Sequence, residues 1–227
     1  MRTFISLLLF CLFTVSTPQT IRGEQVLLFL GDSLTAGLGV APQEAYPHLL
    51  GEMLARDNIS DIRIVNGGLS GATTAGALAR LQWYERTRPN VLFLALGAND
   101  GLRGLDIDAM QHNLEEVIRY AGSQGMTVLL AGMELPPNYG DQYTETFRTV
   151  YRFLADQYEL VFIPFLLEGV GGVAALNQAD GIHPNAEGHA VIARHVYPTL
   201  KQLLVTIKAS SNHHIENGQQ EGHFPEQ

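Results

Sequence analysis

Only one cysteine occurs in this 227-residue sequence, Cys11, and it lies inside the N-terminal apolar stretch. A chain that loses that stretch has no disulfide, no thiol nucleophile and no thiolate metal site. Basic residues are scarce as well: 14 Lys and Arg stand against 23 Asp and Glu, a formal charge of −9, with no basic cluster anywhere. Nucleic acid is thereby excluded as a partner, because its binding is dominated by Lys and Arg contacts to phosphate. Long apolar runs are missing too. The run from Phe4 to Val15, behind a single charge at Arg2, is too short to span a bilayer and has the pattern of a secretory signal. Small and polar residues follow it, so cleavage is expected between Ser16 and Glu24 and the mature protein is expected in the periplasm or outside the cell. Phe10 is bulky where lipoprotein processing at Cys11 would want a small residue.

What remains is ordinary globular material, 46% hydrophobic and 16% charged, enough for one large α/β domain. The expected boundaries are an export segment at 1–23, one domain at 24–208 and a polar, disordered tail at 209–227. His213 and His214 in that tail have no fixed backbone around them, and no metal site is expected there. Val26 to Leu30 is an unbroken apolar run, the mark of a strand buried on both faces. Further strands are expected at Ile62 to Val65, Val91 to Leu96, Thr127 to Ala131 and Val161 to Ile163. Between them, Tyr46, Leu49, Leu50, Met53 and Leu54 fall on one helical face, and Ile107, Met110, Leu114, Val117, Ile118 and Ala121 on another. Other helices are read through Leu78, Leu81 and Trp83, then Tyr143, Phe147, Val150, Tyr151, Leu154 and Tyr158. A last one runs from Ala186 to Ile207, with Ala190, Ala193, Tyr197, Leu200 and Leu204 inward. Strands alternating with helices call for a parallel sheet with right-handed crossovers, a three-layer α/β/α sandwich.

Three stretches carry chemistry. Ser33, in GDSLTAG, follows the first strand directly, and the carboxyl ends of strands in an open α/β sheet are where ligands bind. A hydroxyl nucleophile needs a base within hydrogen-bond reach, and the base needs a partner to fix its tautomer. Asp180 and His183, in DGIHPN, supply both from one turn of chain. Asn99, in LGAND at the end of the third strand, carries an amide that can donate to an oxyanion. The loop NGGLSGATT offers backbone N–H groups, with Gly71 leaving room for close approach. In a sheet of order 2-1-3-4-5 the ends of the first three strands meet at the switch point, so Ser33, Gly71 and Asn99 converge on one crevice. Each stretch alone also reads as ordinary turn chemistry. Asp32 is read as a hydrogen-bond partner for backbone near Ser33, and His189 and His195 as surface or packing residues.

These blocks resemble the SGNH (GDSL) hydrolases, more narrowly their bacterial thioesterase I, lysophospholipase and arylesterase branch. The resemblance covers nearly the whole mature chain: GDSLTAG, the glycine Gly71 in NGGLSG, GAND with Asn99, LPPNYG, and DGIHPN from Asp180 to His183. It implies the SGNH hydrolase fold, with Ser33 as nucleophile, His183 as general base then acid, and Asp180 orienting His183. It also implies an oxyanion hole formed by the Ser33 and Gly71 N–H groups and the Asn99 amide. Substrate contacts are expected from Asp32, Asp100, Leu102, Pro136, Tyr139 and Ile182, with Arg103 and the loops Gly101 to Gly104 and Leu135 to Tyr143 around the acyl pocket. The implied reaction is hydrolysis of small-molecule esters or thioesters by a monomer that needs no metal or organic cofactor. Two rivals remain: a carbohydrate acetylesterase using the same residues, and an exported binding protein that keeps the fold without the chemistry. The elbow G-x-S-x-G is absent around Ser33, which argues against the α/β-hydrolase fold.

Overall fold

A computed structural model describes residues 24–220, with backbone alone for 211–220. Residues 1–23, where the export segment is expected, and residues 221–227 lie outside the described residues. The elements follow in order as β1 (Gln25–Gly31), α1 (Ser33–Ala36), α2 (Tyr46–Arg56), β2 (Ile62–Asn66), α3 (Ala77–Tyr84) and β3 (Val91–Ala95). The second half continues with α4 (Ala98–Leu102), α5 (Ile107–Ser123), β4 (Thr127–Ala131), α6 (Asp141–Gln157), β5 (Val161–Ile163) and α7 (Ala186–Gln220). All neighbouring strands pair in parallel, in the order β2-β1-β3-β4-β5. The expected topology is therefore the observed one.

Burial explains which strands sit where. Leu27 to Leu30 and Val91 to Leu94 are fully buried, as strands covered by helices on both faces must be, and Phe29 stacks tilted on Phe93 with ring centroids 4.8 Å apart. β2 and β5 carry half-exposed positions because they form the sheet edges. α2 packs against α7, whereas α3, α5 and α6 pack side by side, the division into two layers that right-handed crossovers impose when the strand order reverses at β1. α5 shows how the sequence sets an element's ends. Asp106 accepts hydrogen bonds from the N–H groups of Asp108 and Ala109 at its start, and Gly125 takes a left-handed φ of 73° just past its end.

α3 contains Leu78, Leu81 and Trp83 as expected; Ala77 and Leu81 fill its buried face, and Trp83 is 54% exposed with the Arg86 guanidinium 3.4 Å above its ring. One expectation is corrected. The last helix does not stop near Lys208 but runs to Gln220, so the tail is helical over its first part. No glycine or proline interrupts the chain between Pro198 and Gly218, and a helix already nucleated on the core extends without a second nucleation cost. No side chain of His213 or His214 is described. Among the described residues no helix is long and apolar enough to cross a membrane.

Candidate active site

β1 ends at Gly31, where a Cβ would lie 1.9 Å from the Thr35 hydroxyl; only glycine lets the chain fold back so tightly. The next residue, Asp32, caps α1 by accepting from the Leu34 N–H at 3.0 Å, which sets Ser33 as the first residue of that short helix. Ser33 is 8% exposed and its first-turn N–H has no acceptor within the helix. The loop after β2 presses against α1. Gly68 lies so close that a Cβ would be 2.2 Å from the Ala36 nitrogen, and Asn66 Nδ2 donates to the Thr35 carbonyl at 2.8 Å. The Leu69 N–H donates to the Gly31 carbonyl at 3.1 Å, which ties the loop ahead of Gly71 to the end of β1.

The second turn is built as tightly. Asn177 and Pro184 form an antiparallel bridge, the Gln178 N–H donates to the His183 carbonyl at 2.7 Å, and Gly181 takes a φ of 70°. Asp180 Oδ1 accepts from the Ile182 and His183 N–H groups at 2.9 and 3.0 Å, so the carboxylate is fixed before it meets the ring. Its Oδ2 stands 2.6 Å from His183 Nδ1, and His183 Nε2 stands 2.9 Å from Ser33 Oγ. An ionised carboxylate only accepts, so Nδ1 carries the proton and Nε2 is left to accept from the serine hydroxyl. These hydrogen bonds hold Asp180 down to about 2, so the carboxylate is ionised at neutral pH. Gln178 Nε2 ties the two turns together, donating to the Leu38 and Pro184 carbonyls at 2.7 and 2.9 Å. A hydroxyl bonded to an imidazole whose other nitrogen faces a fixed carboxylate can be activated for nucleophilic attack.

Asn99 follows β3 on α4. Its Nδ2 donates to the Ala72 carbonyl at 3.0 Å, which leaves the second amide hydrogen for another acceptor. Gly97 takes a φ of 117° and lies against Tyr151, whose hydroxyl donates to the Leu96 carbonyl at 3.0 Å, so the strand-to-helix turn is pinned from α6. Ser33, Asn99 and His183 all face one cavity of about 570 Å³; Gly71 stands beside Asn99 without forming part of its wall. The rest of the wall is mainly apolar: Leu34, Leu102, Met133, Leu135, Pro136, Pro137, Phe165, Leu167 and Ile182.

Of the residues expected to touch substrate, Asp32, Leu102, Pro136 and Ile182 line this cavity. Asp100 and Tyr139 do not, and both are corrections. Asp100 is 4% exposed and turns away to accept from the Thr74 N–H at 3.0 Å and the Thr74 hydroxyl at 2.7 Å; Tyr139 donates its hydroxyl to the Leu102 carbonyl at 3.0 Å and lies outside the cavity wall. Arg103 also lies outside the wall. Sequence reasoning missed Phe165, Leu167, Gly171 and Gly172, although the segment follows β5 at the same carboxyl edge as the other site loops and could have been found on that ground. His189 is a packing residue: its Nδ1 accepts from the Tyr46 N–H at 3.3 Å, and burial holds it down to about 4.

Asp32 is a buried carboxyl in the turn that carries Ser33. Burial pushes its carboxyl up to about 6, against the pull of the Leu34 N–H, His183 and Arg80. An acid whose folded pKa exceeds its unfolded value binds its proton more tightly when folded. Its stabilisation is therefore complete below about pH 4 and is lost as pH rises through about 6. Asp32→Asn keeps the capping oxygen and removes the buried charge. It should raise stability at pH 8 by up to about 3 kcal/mol, with the gap closing toward pH 4. Melting curves at the two pH values check this, and a variant less stable than wild type at pH 8 would contradict it.

Comparison with known proteins agrees with this construction. The model of the GDSL-like lipase/acylhydrolase family matches residues 29–191. Esterase TesA of Pseudomonas aeruginosa is 44% identical over 195 residues, covering 86% of this chain and 96% of that one. An arylesterase of Vibrio mimicus is 35% identical (87% and 96% covered), and thioesterase 1/protease 1/lysophospholipase L1 of Escherichia coli K12 is 33% identical (85% and 91%). A crystal structure of TesA superposes with a TM-score of 0.76 at 44% identity, over 79% of this chain and 99% of that one. The chain belongs to the GDSL-like lipase/acylhydrolase family.

Proposed function

We propose that this protein is a serine esterase that hydrolyses carboxylic esters and thioesters, aryl esters and lysophospholipids among them, through an acyl-enzyme on Ser33. The observation that carries the reading is the continuous chain of hydrogen bonds from Asp180 through His183 to Ser33, opening on an apolar cavity. The names of the relatives, an esterase, an arylesterase and a thioesterase/lysophospholipase, support the same substrate classes.

In the first half-reaction Ser33 Oγ attacks the acyl carbonyl carbon while its proton passes to His183 Nε2. The carbonyl oxygen becomes an oxyanion, held by the Ser33 and Gly71 N–H groups and the free amide hydrogen of Asn99. Asp180 steadies the imidazolium. The tetrahedral intermediate collapses, the C–O or C–S bond breaks, and the leaving group takes the proton from Nε2. Water then gives a proton to Nε2 and attacks the acyl-enzyme, and collapse returns that proton to Ser33 Oγ with release of the acid. The acyl chain lies along Leu102, Leu135, Pro136, Phe165 and Leu167, in a space far larger than an acetyl group requires. That room disfavours the carbohydrate acetylesterase.

A panel of p-nitrophenyl esters tests the reading. Each buried methylene contributes roughly 0.8 kcal/mol, so kcat/KM should rise at least about tenfold from acetyl to octanoyl. A preference for acetyl would restore the acetylesterase. A fluorophosphonate probe should label Ser33, and failure to label folded protein would favour a binding protein. We further infer that the protein is exported, on its N-terminal segment alone. The labelled protein recovered from cells should begin between Ser16 and Glu24, and an intact Met1 would count against export processing.

A further inference from the structure

Arg103 is exposed, lies outside the cavity wall, and takes no part in the proposed reaction. Its guanidinium nevertheless has a defined position. One nitrogen, Nη2, donates to the Gly71 carbonyl at 3.0 Å and reaches Asn99 Oδ1 at 3.4 Å. It therefore spans the two loops that supply the hole's outer donors, the loop after β2 and the turn after β3. The other bonds between those loops run parallel to it: Asn99 Nδ2 to the Ala72 carbonyl, and the Thr74 N–H and hydroxyl to Asp100, with Asn113 Nδ2 donating to the same hydroxyl at 3.1 Å. Residues 71–74 are laced to residues 99–103 at three points, and Arg103, just past the end of α4, is the outermost.

We propose that Arg103 is a positioning residue for the oxyanion hole. It fixes the Asn99 carboxamide with Oδ1 turned outward and Nδ2 turned inward, its own position being set by the Gly71 carbonyl. A primary amide can rotate by half a turn with little change in shape, and rotated it would present an acceptor to a developing negative charge. The Ala72 carbonyl opposes that rotation at one end of the amide and the Arg103 guanidinium at the other. The guanidinium also puts a fixed positive charge behind the amide, on the side away from substrate, where it strengthens the N–H as a donor. This inference rests on the reading of Asn99 and Gly71 as oxyanion donors.

The test is a double-mutant cycle with Asn99→Ala and Arg103→Met, measured on p-nitrophenyl butyrate and on an acyl-CoA. Methionine keeps the apolar stem and removes the donors at an exposed position. Arg103→Met should lower kcat about tenfold with KM within twofold on both substrates, and in the Asn99→Ala background its effect should shrink to less than about threefold. An undiminished tenfold loss in that background would overturn the inference, as would unchanged kcat in the single variant. A rise in KM confined to the phosphate-bearing acyl-CoA would instead make Arg103 a headgroup contact. Should Asn99→Ala itself fail to lower kcat by about a hundredfold or more, the oxyanion-hole reading fails first.

Discussion

Alanine at Ser33 or at His183 is expected to lower kcat by about three to six orders of magnitude, with KM little changed. The two effects should not add. Ser33 Oγ and His183 Nε2 are bonded to each other at 2.9 Å, so removing either partner abolishes the same proton transfer, and the double variant should be no slower than the poorer single one. What survives is the contribution of the oxyanion donors and of acyl binding. Folding should be undisturbed, because neither side chain belongs to the apolar core. Single-turnover assays on purified variants check this. Turnover within tenfold of wild type in either variant would remove that residue from the chemistry.

Asparagine at Asp180 is expected to cost about 10⁴-fold in kcat by a different route. Oδ1 holds the Ile182 and His183 N–H groups, so the amide oxygen will stay there and the amide nitrogen will face His183 Nδ1. Two donors then oppose each other. The ring relieves this by moving its proton to Nε2, where it can no longer accept from Ser33. The loss therefore comes from the wrong tautomer, with the turn intact. Activity within tenfold of wild type in Asp180→Asn would show that the carboxylate only shapes the turn.

Much of this arrangement was legible in the residues because strong signals were involved. Uninterrupted apolar runs at Val26 to Leu30 and Val91 onward have one comfortable place in an α/β domain, the middle of the sheet, and the strand order then brings the ends of β1, β2 and β3 together. Asp180 and His183 were legible because one turn holds both. Direction was harder. Asp100 directly follows Asn99, yet on the short α4 successive side chains point about 100° apart, and the carboxylate turns inward to Thr74 while Asn99 faces the cavity. Tyr139 was placed correctly along the chain, but its hydroxyl is bound to the Leu102 carbonyl. Trp83 stands five positions after Leu78, about 140° round the helix, and so lies exposed under the Arg86 guanidinium. Phe165 and Leu167 had no polar signature at all. An acyl-binding wall is written in the same residue types as a core, and only the folded domain distinguishes the two.

The imidazole and the hydroxyl are 150 positions apart in the chain, and the bond between them forms across the completed domain. A polypeptide still emerging from the ribosome therefore carries the hydroxyl of Ser33 with no imidazole beside it. The pair is assembled only when the turn ahead of α7 has docked on the end of β1, so the contact reports that the whole domain has folded.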